Sequence, residues 1–263
     1  LGGDFQGNGS WTLGNGKNPN FTFRPHIKGM DLTQLLPRLS PEFGKGVQGS
    51  LNLAAELKGS GTEWENVRKT LKGQGHAQIV KGSLKELNLV KKVLAQVTGL
   101  PGVKNLVSSK PSPQYARIIE RKDTPFDTLE ATFHLKEDQI QTENLLLAAP
   151  EYLIHAKGKI GLDKTMGWKA TLALSPTLSR EFTQEHKNVR FLVDDQGRLG
   201  VPFHLIGNLP RVEPKPDNKR LSELIQKGMA QNGDEVTPKD EKSGNGKLDQ
   251  DWIRKGIEQL LGK

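Results

Sequence analysis

Cysteine is absent from this 263-residue chain, which excludes disulfides, thiolate metal sites and cysteine nucleophiles. Apolar residues are also scarce. They form 34% of the sequence, aromatics only 6%, and the mean hydropathy is −0.58. A set this sparse predicts a thin, elongated or one-sided structure rather than a thick multilayer core. No uninterrupted apolar run approaches the roughly 18 residues that span a bilayer. The sequence has no Gly-Lys-Ser/Thr phosphate loop and no nucleophile-elbow pentapeptide. Gly44-Lys45-Gly46-Val47-Gln48-Gly49 has the letters of a dinucleotide fingerprint, but it leads into a strand pattern and not a helix, so no phosphate would meet a helix N-terminus. His26, His76, His134, His155, His186 and His204 do not pair at zinc-site spacings. Asp194-Asp195 falls at a hairpin tip, a poor place to hold an acid/base pair out of water. These readings point to no cofactor and no enzyme, and the few aromatics give no nucleic-acid platform.

Glycine, with 29 residues, and positive charge, at a net +8, are plentiful. Between Lys81 and Lys122 nine cations meet only Glu86 and Glu120. Lys85, Lys91, Lys92 and Lys104 are the candidate basic surface, a solvated face or one that meets anionic head groups.

Period-two alternation dominates, the mark of strands with one apolar and one wet face. Leu51, Leu53, Ala55 and Leu57 form one set, and Leu129, Ala131, Phe133 and Leu135 another. Tyr152, Ile154 and Ala156 follow, then Ala170, Leu172 and Leu174, then Leu199, Val201, Phe203 and Leu205. Short polar turns at 136–139 and 163–167 and the Asp194-Asp195-Gln196-Gly197 signal join them. From about Phe126 to Leu209 the chain reads as an antiparallel meander. A helix at about Pro176–His186 interrupts it, capped by Ser175 or Thr177. The first half reads as looser strand–helix units, with helices expected at Thr33–Leu39, at Thr62–Leu71 behind a Thr62–Glu65 capping box, and at Leu84–Val97. In the last of these Leu87, Val90, Leu94 and Val97 share one face.

The fold expected is α+β and β-dominated: a curved, mostly antiparallel sheet with one apolar face, partly covered by amphipathic helices. It should occupy residues 1–217. A flexible polar linker is expected over 218–249 and a helix over 250–263, where Trp252, Ile253, Ile257, Leu260 and Leu261 are helically spaced.

Two stretches together resemble the C-terminal part of the AsmA family. One is Gly73-Gln74-Gly75-His76-Ala77-Gln78-Ile79-Val80-Lys81-Gly82-Ser83-Leu84 with Leu87-Asn88-Leu89, preceded by Gly49-Ser50-Leu51-Asn52-Leu53. The other runs from Gly158-Lys159-Ile160-Gly161-Leu162-Asp163 to Val201-Pro202-Phe203-His204-Leu205-Ile206-Gly207-Asn208-Leu209-Pro210. The resemblance covers roughly residues 40–217. It departs from the family at Ser83, which follows Gly82 where an aspartate is usual. It implies a periplasmic domain of a protein held in the inner membrane by an upstream anchor. The implied role is in outer-membrane biogenesis, with phospholipid conducted along a β-sheet groove. No catalytic residues carry over. Leu51, Leu53, Leu57, Leu129, Phe133, Leu135, Ile154, Leu172 and Leu174 are the candidate groove lining for phospholipid or another acyl-chain lipid. Alternation alone leaves open whether they form a trough or a closed core. The alternative function is a structural or protein-interaction scaffold that assists outer-membrane protein assembly, with an envelope protein as partner.

Overall fold

The computed structural model describes residues 2–13, 18–39, 46–98, 113–185 and 187–231. Its elements are β1 (Asp4–Thr12), β2 (Asn20–Asp31), α1 (Leu32–Leu39), β3 (Val47–Ser60), α2 (Trp64–Thr70), β4 (Lys72–Leu84), α3 (Leu89–Thr98), α4 (Pro113–Glu120), β5 (Thr124–Lys136), β6 (Gln139–Ala148), β7 (Tyr152–Gly161), β8 (Thr165–Leu174), α5 (Pro176–Glu185), a 3₁₀ turn (Lys187–Leu192), β9 (Gly200–Asn208), β10 (Arg211–Pro216) and α6 (Asn218–Gln231).

All ten strands form one open sheet in sequence order, each antiparallel to the next. The meander anticipated for the second half therefore runs through the first half as well, where the expected strand–helix units are present as β2–α1, β3–α2 and β4–α3 with their strands joined in the same sheet. Register explains how one face stays apolar. Gly9, Phe23, Leu57, Gly73, Leu135, Ile140, Ile160, Met166, Gly207 and Val212 lie directly opposite one another, one per strand across all ten strands. A second row runs Met30, Leu51, Ile79, Leu129, Leu147, Ile154, Leu172, Val201 from β2 to β9. A one-residue slip in any strand would put these side chains in water. Where a row must shift, a bulge absorbs it. At the β3–β4 bulge Gly49 has φ +135°, and a Cβ there would lie 2.6 Å from Ile79, so only glycine fits. The other face is polar: Arg24 and Lys58 reach Glu56 at 3.3 and 2.8 Å, and Gln78 joins Asn52 to Glu130.

The sheet curls around α3. Gln96 of that helix donates to the Pro214 carbonyl of β10 at 2.6 Å. Gly46 and Lys85, at one end of β3 and β4, line the same cleft as Ile206 to Lys215 of β9 and β10. In a flat sheet β4 and β10 would stand about 29 Å apart. Val90, Val93, Leu94 and Val97 of α3 are buried in one cluster with Leu147, Ile154, Leu172 and Val201, and the helix lies closest to β9 and β10. Asn88 fixes the start of that helix. Its side-chain carbonyl accepts from Lys91 N at 2.8 Å, and its amide donates to the Ile118 and Arg121 carbonyls at 2.8 and 2.7 Å, which ties α3 to α4. Leu178 and Phe182 of α5, Val189 and Leu192 of the 3₁₀ turn, and Leu221 of α6 complete the core.

Several expectations are corrected. Residues 218–231 are a helix and not a linker, so the folded body extends past 217. Asp217 caps α6 by accepting from Arg220 N at 3.0 Å, and Leu221 and Ile225 are buried. The β4 strand runs to Leu84, so α3 starts at Leu89 and not at 84. The expected capping box at α2 is not formed: Glu63 is the N-cap and makes no side-chain cap bond. At α5 the expected cap holds, with Ser175 Oγ accepting from Leu178 N at 3.4 Å. The expected linker beyond 231 and helix at 250–263 lie outside the described residues, as does Lys104.

Candidate functional site

The apolar face has two environments. Over β6 to β9 it is roofed. Of the expected lining residues, Leu135, Ile154, Leu172 and Leu174 are buried, Leu172 to 0% exposure. For these four the groove assignment is corrected to closed core. Ile154, Leu172 and Leu174 pack in one cluster with the helices, and Leu135 is closed over beside Ile140. Over β1 to β3 the same face is only partly covered, and β4 and β5 are the transition, where Phe126 and Leu135 are buried and Ile79, Leu129 and Ala131 pack on the margin of the core. Leu51, Leu53, Leu57, Leu129 and Phe133 are half-buried. Phe5, Trp11 and Phe23 keep 58%, 59% and 37% of their surface in water. Exposed large apolar side chains collected on one face are the feature that calls for a ligand or partner.

The trough is shaped by aromatic rings lying over glycines. A Cβ on Gly7 would come within 3.0 Å of the Phe23 ring, on Gly59 within 2.6 Å of Phe21, and on Gly75 within 2.7 Å of Phe133. The Phe5 and Phe23 ring centroids are 6.5 Å apart, and Trp11 stacks on Phe21 at 6.0 Å, within the range of favourable aromatic pairs. The floor is therefore broad, shallow and apolar, with no polar group to fix a ligand's orientation. Phe5, Trp11, Phe21, Phe23 and Ile27 did not stand out in the sequence, although Phe5-x-Gly7-x-Gly9-x-Trp11 keeps the period of two.

The sheet's two edges differ. β10 is short and carries Pro214 and Pro216, which blunt an edge. β1 is nine residues long, exposed throughout and free of proline and lysine.

Lys85 is held by Asp123 in an ion pair. That hydrogen bond, with a second from Glu86 N, keeps the Asp123 carboxyl below the ordinary aspartate range. Lys91 and Lys92 are exposed on α3, away from its buried face. Lys92 borders a cleft of about 700 Å³ with Leu87, Val212, Arg211 and Lys215. The Tyr152 hydroxyl donates to the Pro125 carbonyl, and burial pushes its phenol well above the usual range.

The chain matches no family model, no curated protein and no solved structure. Among the described residues no helix is long and apolar enough to cross a membrane, and no three His, Asp or Glu side chains gather to hold a metal.

Proposed function

We propose that this chain is a non-enzymatic lipid-contacting module, an AsmA-like periplasmic domain of an inner-membrane-anchored protein in outer-membrane biogenesis. Its open trough carries phospholipid acyl chains. The observation that supports this most is the one apolar face shared by the sheet, buried at Leu147, Ile154, Leu172 and Val201 over β6 to β9 and left in water at Phe5, Trp11 and Phe23 over β1 and β2. Burying a methylene is worth about 0.8 kcal/mol. A dozen methylenes half-covered on such a floor would gain about 5 kcal/mol, which corresponds to contact of roughly sub-millimolar strength before ordering costs. Contact that weak suits passage along a surface better than storage in a pocket.

The test is photocrosslinking with p-benzoylphenylalanine placed at Phe23, with the neighbouring polar-face residue Arg24 as control, followed by mass spectrometry of the adducts. Phospholipid adducts at 23 and not at 24 are expected. Well-folded protein with no lipid adduct at 23 refutes the reading. The β1 edge favours a second reading, a scaffold that pairs with a partner's strand. In that case the adducts at Phe23 would be peptide.

A further inference from the structure

The polar face is not uniform in charge. Across β2 to β5 Lys58 stands opposite Lys72, but Arg24 and Lys58 both close on Glu56, which offsets that repulsion. Across β7 to β9 less of it is offset. Lys157 stands directly opposite Lys169, and Lys169 directly opposite His204. Lys159 follows Lys157 by two residues and so shares its face. Like charges directly opposite on neighbouring strands destabilise a sheet, so this arrangement costs stability that a matched pair would recover. Glu143 approaches Lys157 at only 3.8 Å, and His204 is engaged by Asp217 at 3.4 Å. Neither Lys159 nor Lys169 makes an ion pair among the described residues.

These cations wall a cleft of about 430 Å³. Gly167 keeps its floor open: a Cβ there would meet nothing within 4 Å. An adjoining cleft of about 660 Å³ shares Lys157, Lys169 and His204 and reaches the first turns of α6, where Asp217 and Glu223 make it mixed in charge; Glu143 borders both clefts.

We propose that this cleft is an anion site that takes a phosphate group between Lys157, Lys159 and Lys169. Neighbouring strands are about 4.8 Å apart and alternate residues about 6.7 Å apart. The three stems therefore rise from a small triangle, and their flexible ends can converge on one tetrahedral anion. Each ammonium offers three donors in no fixed plane, which suits phosphate oxygens in charge-assisted hydrogen bonds. The bound anion offsets the repulsion that the empty face carries. The site lies on the opposite face from the apolar trough, so either can fail without the other.

The test uses the chain with K157Q/K169Q and, separately, K157E. Thermal unfolding is followed in low salt with inorganic pyrophosphate. Co-sedimentation is measured with vesicles of phosphatidylglycerol or of phosphatidylcholine. Pyrophosphate should raise the Tm of the unaltered chain, and K157Q/K169Q should weaken that binding about tenfold or more, the loss of one or two charged hydrogen bonds. Without ligand, K157E should unfold at about the same temperature, because the attraction its carboxylate gains to Lys169 is set against the repulsion it gains from the exposed Glu143. That result separates a binding role from a structural one. Lysine-dependent capture by phosphatidylglycerol vesicles without a pyrophosphate response assigns the phosphate to a lipid head group. The converse assigns it to a soluble phosphate compound. No response to either probe, or responses that K157Q/K169Q leaves unchanged, overturns the proposal.

Discussion

Leu172→Ala and Phe23→Ala alter the same apolar face in its two environments. Leu172 lies between Ile154 and Val201 with 0% exposure. It is walled by strands on two sides and helices above, so the site has little room to collapse. Leu→Ala changes in such sites cost about 2–5 kcal/mol, and about 3–4 is expected here, out of a total near 5–15. Phe23 is 37% exposed and borders open solvent, so only the transfer term is lost. That amounts to about 1–2 kcal/mol for a ring roughly two-thirds covered. Equilibrium urea unfolding reads both. With m of about 3 kcal/mol/M, the upper end of the usual range for a chain of this size, Leu172→Ala should lower the midpoint by about 1–1.3 M and Phe23→Ala by about 0.3–0.7 M. Phospholipid adducts to p-benzoylphenylalanine placed at Phe5, which faces Phe23 at 6.5 Å, should fall for Phe23→Ala and hold for Leu172→Ala. The aspartate versions sharpen the contrast, because Leu172→Asp buries an unpaired carboxylate and should not fold, while Phe23→Asp should fold and lose lipid. If Leu172→Ala is the mild variant, or the one that loses lipid, the division of this face into core and trough is wrong.

Two further outcomes follow from local geometry. Gly75→Val should cost about 1–3 kcal/mol in the same urea assay, because its Cβ would press to 2.6 Å on the Ala54 carbonyl, which the β3–β4 ladder holds in place. Gly167→Ala, with open space above it, should be neutral or slightly stabilising. Asp123 has a folded-state pKa below its unfolded value. The unfolded chain therefore takes up that proton first as the solution is acidified. The stability it contributes is fully present above about pH 4 and is lost as pH falls through the lowered folded value. Asp123→Asn should flatten that acid limb in a pH series of unfolding midpoints and leave neutral-pH lipid adducts unchanged.

The strand sets containing Leu51–Leu57, Leu129–Leu135, Tyr152–Ala156 and Ala170–Leu174 were legible because alternation reports the face a residue occupies, whatever lies above it. The turns were legible for their own reason: Gly197 in the Asp194–Gly197 turn has φ +72°. Two elements escaped. β1 has only Phe5 and Trp11 on its apolar face, and Gly7 and Gly9 supply no side chain to signal the period. α6 is mostly polar, and Leu221, Leu224 and Ile225 are thin evidence of a buried stripe amid lysine, arginine and glutamate. Its cap at Asp217, four residues before Leu221, was the readable sign.

Whether a given stretch of the face is core or trough was not written in the strands at all. Leu53 and Leu172 have the same alternation and similar neighbours, yet one faces a trough and the other a roof. The difference lies in the connections. At the end of the sheet where β4 finishes and β5 begins, the links 85–123 and 175–199 carry α3, α4, α5 and the 3₁₀ turn, and α6 follows β10 at the same end. At the opposite end the described turns β5–β6, β7–β8 and β9–β10 are tight. The one helix there, α2, buries no residue. Helical cover is thus supplied mainly from one end: the links after β4 and β8 carry most of it, and among the described residues the link after β2 adds only α1, which packs beside β3 and buries Leu32. A helix of ten residues such as α3 is about 15 Å long, enough to roof about three strands. With the sheet curled toward β10, that roof falls on the later strands and leaves β1, with the parts of β2 and β3 beyond α1, without one. Long connections set against tight ones, together with the direction of the curl, decide which half of a uniformly apolar face remains available to a ligand.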